Sequence, residues 1–226
     1  MARSPHELKP ARKIGPVLAA LGKRYGPTVR TACEDPLVVL VHGILSQNTT
    51  DLNSGRAFEN LMRAFGGWEA MAQADLKAIA AAIQVGGLAD QKAVTIKSVL
   101  RWVGRQPGGS LDFLRGMSDA EAEETLTAIK GVGIKTARLV LLFGLGRPVF
   151  VVDTHVLRVS KRLGLISPDC SREKAHRLLD TLVPDEAKYS GHLEMISHGR
   201  QTCTARSPAC PSCVASDWCL YVRGLL

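Results

Sequence analysis

The chain has 226 residues, of which 46% are hydrophobic and 22% charged, proportions close to those of soluble globular proteins, so wholesale disorder is excluded. At roughly 100–200 residues per domain, this length admits one large domain or two small ones. Lys and Arg total 29 against 21 acidic residues, a formal net charge of +8 that suits a polyanionic partner without identifying one.

The longest apolar stretches, Pro36 to Val41 and Leu139 to Leu145, fall far short of the ~20 residues a membrane-spanning helix needs. The opening MARSPHELKPARK lacks the apolar centre of a secretory signal, which makes a cytoplasmic, reducing compartment the expected setting.

Up to Arg30 there are seven basic residues, Arg3, Lys9, Arg12, Lys13, Lys23, Arg24 and Arg30, against the single acid Glu7. This start reads either as a solubilising tail or as an extension of a polyanion-binding surface. Asp35 followed by Pro36 offers a cap and a first-turn proline for a helix over Leu37 to Leu45. Asp75 can cap a second, carrying Leu76, Ile79, Ala80 and Ile83 at helical spacing. Both are predicted to be short and half-buried. Ser118 with Glu121 three residues later is a capping box, opening a helix with Ala122, Leu126 and Ile129 that runs toward Gly131. Lys135 to Phe143 is apolar nearly all round and is predicted as one buried helix. Pro148 to Val152 is the one β-branched run, and a single run cannot make a sheet. Another helix is predicted from Asp153 or Thr154, where Val156, Leu157 and Val159 precede Arg158, Lys161 and Arg162. The predicted fold class is all-α, with helices of about ten residues joined by short turns.

Two constellations carry chemistry. Between two predicted helices lies Lys130-Gly131-Val132-Gly133-Ile134-Lys135-Thr136-Ala137, where glycines allow a tight turn whose N–H groups can grip a phosphate. Its plain alternative is an αα-hairpin using glycine for geometry alone. Lys135 heads an apolar helix, where partial burial and the positive end of the helix dipole disfavour its charged form. A neutral amine is a nucleophile. Eighteen residues on, Asp153 stands at the junction of the apolar run and the next helix, an N-cap that can also face a cleft. Two residues further, His155 reads as a structural or phosphate-side histidine rather than a general base.

Of six cysteines, Cys33 and Cys170 are isolated, whereas Cys203, Cys210, Cys213 and Cys219 fall within 17 residues. Four thiolates in a compact loop can close a zinc site or an iron–sulfur site, while disulfides are disfavoured in a reducing compartment. The spacing C-x6-C-x2-C-x5-C has only one of the short knuckles that zinc sites usually pair.

The run LTAIKGVGIKTARLVLLFGLGRPVFVVDTHVLRVSKRLGL resembles the helix-hairpin-helix and Gly/Pro-Asp motif of the endonuclease III family of DNA glycosylases. The resemblance runs from about Pro36 to Cys219 and takes in ILSQNTTD (Ile44 to Asp51), GGLADQKA (Gly86 to Ala93) and HGRQTC, which ends at Cys203. It implies two helical lobes with a DNA groove between them. One is a six-helix lobe over 35–147, with the helix-hairpin-helix at about 122–144; the other is a cluster lobe of 1–34 plus 148–226. It implies that Lys135 is a Schiff-base nucleophile with Asp153 as its acidic partner, and that the four cysteines hold a [4Fe-4S] cluster that is structural and DNA-docking. By the same resemblance Gln47, Asn48 and Leu88 fill the space left by an extruded nucleotide, while Gly131, Val132, Gly133 and His155 contact DNA. Arg200 and Arg206, which flank Cys203, read equally as phosphate contacts or as solvated arginines.

The implied activity is excision of damaged bases, with oxidised pyrimidines the expected class, followed by β-lyase cleavage at the abasic site in base excision repair. The implied partner is duplex DNA containing damaged bases or abasic sites, bound by a monomer without a membrane, in a bacterial-type, nucleoid-associated setting. A monofunctional or mismatch-specific glycosylase is the alternative on the same scaffold, and a non-catalytic helix-hairpin-helix DNA-binding module the alternative of another class. The sequence departs from the commonest family pattern at Gln47-Asn48, where Ala-Gln is typical, and at Ala89, where tyrosine often follows the leucine.

Overall fold

A computed structural model describes residues 4–26 and 28–225, and no strand occurs among them. The α-helices of these residues, in chain order, are α1 (Pro10–Tyr25), α2 (Pro36–Leu45), α3 (Asp51–Phe65), α4 (Trp68–Gln73), α5 (Leu76–Ala82), α6 (Ala89–Val103), α7 (Asp119–Thr127), α8 (Ile134–Leu139), α9 (Thr154–Leu163), α10 (Arg172–Leu182) and α11 (Lys188–Gln201). None is long and apolar enough to cross a membrane. The chain divides into two compact units, one made of Met1–Ala32 and Pro148–Leu226, the other of Cys33–Arg147.

In the Cys33–Arg147 unit the caps read from the sequence start the helices. Asp35 accepts the Leu37 N–H at 2.7 Å with Pro36 at the first position, and Ser118 with Glu121 closes the capping box of α7. Asp75 precedes α5 without a side-chain cap bond. α2 is buried on nearly every face rather than half-buried, because α3, α6 and α8 all pack against it. Arg138 of α8 donates to Glu123 of α7 at 2.5 Å in a mostly buried ion pair that ties the hairpin helices together.

The predicted single helix from Lys135 to Phe143 is α8 continued by a π-helical turn, Val140–Gly144. The Leu145 N–H reaches the Val140 carbonyl at 3.0 Å, five residues back. The wider turn brings Gly144 against Pro36, so closely that an added Cβ would stand 2.8 Å from Pro36 Cα.

In the other unit, Ile14, Val17, Leu18 and Leu21 line one face of α1 and join a core with Phe150, Val152, Val156, Leu179 and Met195. The basic start is therefore no tail from residue 10 onward. Lys13, one of its seven basic residues, is 1% exposed and donates to the Leu163 carbonyl at 2.8 Å and the His6 carbonyl at 3.2 Å. Arg3 lies outside the described residues.

The apolar run Val149 to Val152 is buried and in neither helix nor strand. Buried main-chain groups must find partners, and here side chains supply them. Phe150 N–H donates to Asp180 at 2.6 Å, and the Val151 carbonyl accepts from His192 Nδ1 at 3.0 Å.

Candidate functional site

The hairpin between α7 and α8 turns at Gly131, whose φ is +90°, a conformation that disfavours any side chain. An added Cβ there would lie 2.6 Å from Thr95 Oγ1. Val132 is buried at 4% exposure and anchors the turn, and Gly133, in extended backbone, is the N-cap of α8.

At the second position of that helix, Lys135 is half-buried, and its Nζ donates to Ser46 Oγ at 3.3 Å. Ser46 is the C-cap of α2 and itself donates to the Gly43 carbonyl at 2.9 Å. The next residue, Gln47, donates through Nε2 to the Gly131 carbonyl at 3.3 Å. The hairpin and the segment after α2 are thus joined twice, and Gln47, Gly131 and Lys135 come together.

Asn48 and Leu88 are the non-glycine residues with positive φ among the described residues, at +52° and +49°. For a leucine such backbone costs on the order of 1–2 kcal/mol, and strain of this kind persists where the surroundings impose it and clusters at functional segments. Leu88 is also 48% exposed, so burial does not account for it. Asn48 is exposed as well.

Two participants escape sequence reasoning. Neither Ser46 nor Lys92 of α6 stands out in the sequence, where they lie within the segments ILSQNTTD and GGLADQKA. Lys92 is buried, with Nζ donating to the carbonyls of Leu45 at 2.8 Å and Gly86 at 2.9 Å. The signal that could have found it is its place on the buried stripe of α6, one residue before Ala93 and four before Ile96.

Asp153 and His155 belong to the other unit. Asp153 is the N-cap of α9, its Oδ1 accepting the Val156 N–H at 2.7 Å. This bond fixes the carboxylate at the end of the apolar run. His155 Nδ1 lies 3.1 Å from Nη2 of Arg158, so that ring nitrogen is the acceptor. Arg158 also donates to the Gly199 carbonyl at 2.8 Å and to the Cys203 carbonyl at 2.9 Å, which places His155 on a network leading to the cysteine loop.

Cys203, Cys210, Cys213 and Cys219 line one pocket together with His198 and Arg162, and all four are free thiols. Burial, and then the neighbouring thiols, push the Cys213 and Cys219 thiols up. Arg162 Nη1 donates to Cys203 Sγ at 3.4 Å, and His198 Nε2 lies 3.7 Å from Cys213 Sγ. Burial lowers His198 to about 4, and its Nδ1 is 3.0 Å from the Tyr25 hydroxyl. Among the described residues no three His, Cys, Asp or Glu side chains gather as closely as a single ion requires; zinc would demand thiolates at about 2.3 Å from one centre. Arg200 and Arg206 are both exposed.

The chain matches the HhH-GPD superfamily base excision DNA repair protein family over residues 41–185. It is 36% identical over 180 residues to endonuclease III of Sulfolobus acidocaldarius, a match covering 79% of this chain and 78% of that protein. An Arabidopsis thaliana protein assigned by name to the DNA glycosylases is 41% identical over 168 residues, which cover 74% of this chain and 57% of the plant protein's length. Among solved structures, a trapped endonuclease III–DNA covalent intermediate, described as an estranged-adenine complex, superposes with a TM-score of 0.83 at 28% identity, over 95% of this chain and 97% of the other.

Proposed function

This chain belongs to the HhH-GPD superfamily of base excision DNA repair proteins and, within it, to the endonuclease III family, and from that premise we propose that it is a bifunctional DNA glycosylase and abasic-site lyase acting on duplex DNA. The observation that carries this reading is the placement of Lys135 at the head of α8, hydrogen-bonded to Ser46 and beside the Gln47–Gly131 contact. Unlike Lys13 and Lys92, whose ammonium groups are taken up by main-chain carbonyls, Lys135 is half-buried beside the segment that carries the strained Asn48.

In the mechanism, the base is first turned out of the stack, a step costing a few kcal/mol and less for damaged bases, with Gln47, Asn48 and Leu88 occupying the vacated space. Lys135 Nζ, deprotonated, attacks C1′ as the bond from C1′ to the base breaks, and the base departs with the bonding pair. Positive charge develops on the sugar as the base leaves, and the Asp153 carboxylate stabilises it electrostatically. Loss of the amine proton and opening of the sugar ring give an imine between Nζ and C1′. The imine acidifies C2′; removal of a C2′ proton drives out the 3′ phosphate by cleavage of the bond from C3′ to oxygen, and hydrolysis of the imine regenerates the lysine. Gly131, Val132, Gly133 and His155 are assigned to the phosphates around this site.

The cysteine pocket fits a [4Fe-4S] cluster held by Cys203, Cys210, Cys213 and Cys219. The four thiols line one cavity and none is tied up in a disulfide, the donor set that a four-iron cluster takes. When bound, the cluster supplies a rigid scaffold for docking on DNA and takes no part in excision. The Cys33–Arg147 unit then acts as the helix-hairpin-helix lobe and the other as the cluster lobe of a monomer working on chromosomal DNA in the cytoplasm. Oxidised pyrimidines are the substrate class assigned.

Borohydride reduction during turnover on a duplex containing an oxidised pyrimidine tests the central step. The full chain is expected to give a covalent DNA adduct that vanishes in Lys135→Ala. An adduct that persists in that variant, or base excision with no adduct from the unaltered chain, refutes the assignment. Brown protein with stoichiometric iron and sulfide is expected; colourless protein refutes the cluster.

A further inference from the structure

The helix α6 carries a lysine on its buried stripe. Lys92 is 3% exposed, and burial pushes its amine below the ordinary lysine range. Both carbonyls it meets lie at the ends of short segments. Leu45 closes α2, whose last carbonyls lack intrahelical partners and favour a cation. Gly86 closes the short turn Gln84–Gly86 that precedes α6.

These two attachment points are three residues before Asn48 and two before Leu88, the residues held at φ +52° and +49°. One ammonium therefore grips the roots of both strained segments, at 2.8 and 2.9 Å. Ser46, which meets the Lys135 amine, directly follows Leu45. An apolar residue of similar length would fill the same space without the desolvation cost of a buried charge, so packing alone does not explain a lysine here. What the ammonium adds is a fixed spacing between two chain segments that make no ladder or shared helix.

We propose that Lys92 is a positioning residue for base extrusion, clamping the segments of Asn48 and Leu88 at the separation at which both enter the duplex together. The proposal rests on the glycosylase–lyase reading above. It predicts a selective defect. Loosened segments matter when a paired base must be displaced, and matter little when the base is already gone.

The test compares Lys92→Met with the unaltered full chain in two single-turnover reactions on the same duplex: excision of an oxidised pyrimidine paired with its partner, and cleavage of a preformed abasic site. Rates are normalised to the fraction of protein that borohydride can trap, so that unfolded molecules do not count. Excision is expected to fall about tenfold or more relative to abasic-site cleavage, a tenfold loss being equivalent to ~1.4 kcal/mol of barrier. Should Lys92→Met not fold, Lys92→Arg takes its place; its longer, planar head alters the spacing while keeping the charge, and the same ratio is expected to fall. A ratio unchanged in the folded variant overturns the clamp while leaving the reaction assignment intact. An unaltered chain that neither excises nor is trapped overturns the reaction assignment and the clamp with it.

Discussion

Replacing Gly131 with alanine probes how tightly the hairpin is built against α6. Two separable penalties arise. The backbone at φ +90° is unfavourable for any residue with a Cβ, by about 1–2 kcal/mol. The new methyl would also stand 2.6 Å from Thr95 Oγ1 and 2.7 Å from Thr95 Cγ2, and overpacking of this kind costs about 1–3 kcal/mol. Together the loss is about 2–5 kcal/mol, a large share of a typical domain's stability.

Thr95→Ala separates the two, because it deletes both of the atoms nearest the new methyl while leaving Thr95 Cβ at 3.2 Å. Alone it removes an exposed hydrogen bond to the Gln91 carbonyl, worth at most about 0.5–1.5 kcal/mol. In the Gly131→Ala background it should instead restore most of the overpacking part, leaving the φ cost of about 1–2 kcal/mol. The cycle is read by urea unfolding followed by far-ultraviolet circular dichroism, with the coupling taken as the departure from additivity. Under the proposed phosphate role of the hairpin, duplex binding measured across a salt series should weaken in parallel, the salt slope flattening by about 0.9 for each phosphate left unneutralised. A single variant that loses under about 1 kcal/mol, or a cycle with no coupling, would refute the close packing of the hairpin on Thr95.

Leu88→Gly should separate stability from function: relief of left-handed strain worth about 1–2 kcal/mol is offset by lost burial of a half-exposed side chain and by glycine's extra unfolded freedom. Urea midpoints should therefore barely move while excision of a paired base falls by about tenfold or more; a parallel collapse of both would show Leu88 to be core. Glu194 is 5% exposed, and burial raises its carboxyl above the ordinary 4.5. A raised acid binds its proton more tightly in the folded state, so its contribution is favourable at low pH and is lost as pH rises above 4.5 through the folded value. Glu194→Gln should flatten that decline and leave the protein more stable at pH 7; unfolding curves that keep the parental pH slope would refute it.

Local signals are readable where a side chain bonds to its own neighbourhood. The Asp35–Pro36 start, the Ser118–Glu121 box and the Asp153 start of α9 are set within three residues and need no tertiary information. The all-α class follows from them. What stays hidden depends on partners distant in sequence. The apolar stripe Ile14, Val17, Leu18 and Leu21 lies among charges that read as a tail until α11 covers it. The π-helical turn ends at Gly144, packed against Pro36, more than a hundred residues earlier. Lys13 reads as part of a charged start because lysine is usually solvated, and its carbonyl partner 150 residues away reveals it as a buried strut; Lys92 is hinted at by the buried stripe of α6, but its bond to Leu45, 47 residues away, is not. The backbone strain at Asn48 and Leu88 has no counterpart in composition or periodicity at all.

The arrangement of α1 has a bearing on how the chain is made. Its apolar face meets α11, and the bond from Tyr25 to His198 spans 173 positions. At the ribosome's ~5–20 residues per second, α1 is made roughly 8–33 s before its partner helix begins. In that interval the contiguous stretch from Cys33 to Arg147 can close on itself, whereas the first helix waits with Leu18 and Leu21 uncovered. Nascent chains stalled before residue 188 should accordingly yield a protease-resistant middle and a cleavable beginning, and the basic residues beside that waiting stripe, Arg12, Lys23 and Arg24, would keep it dispersed by mutual repulsion until translation ends.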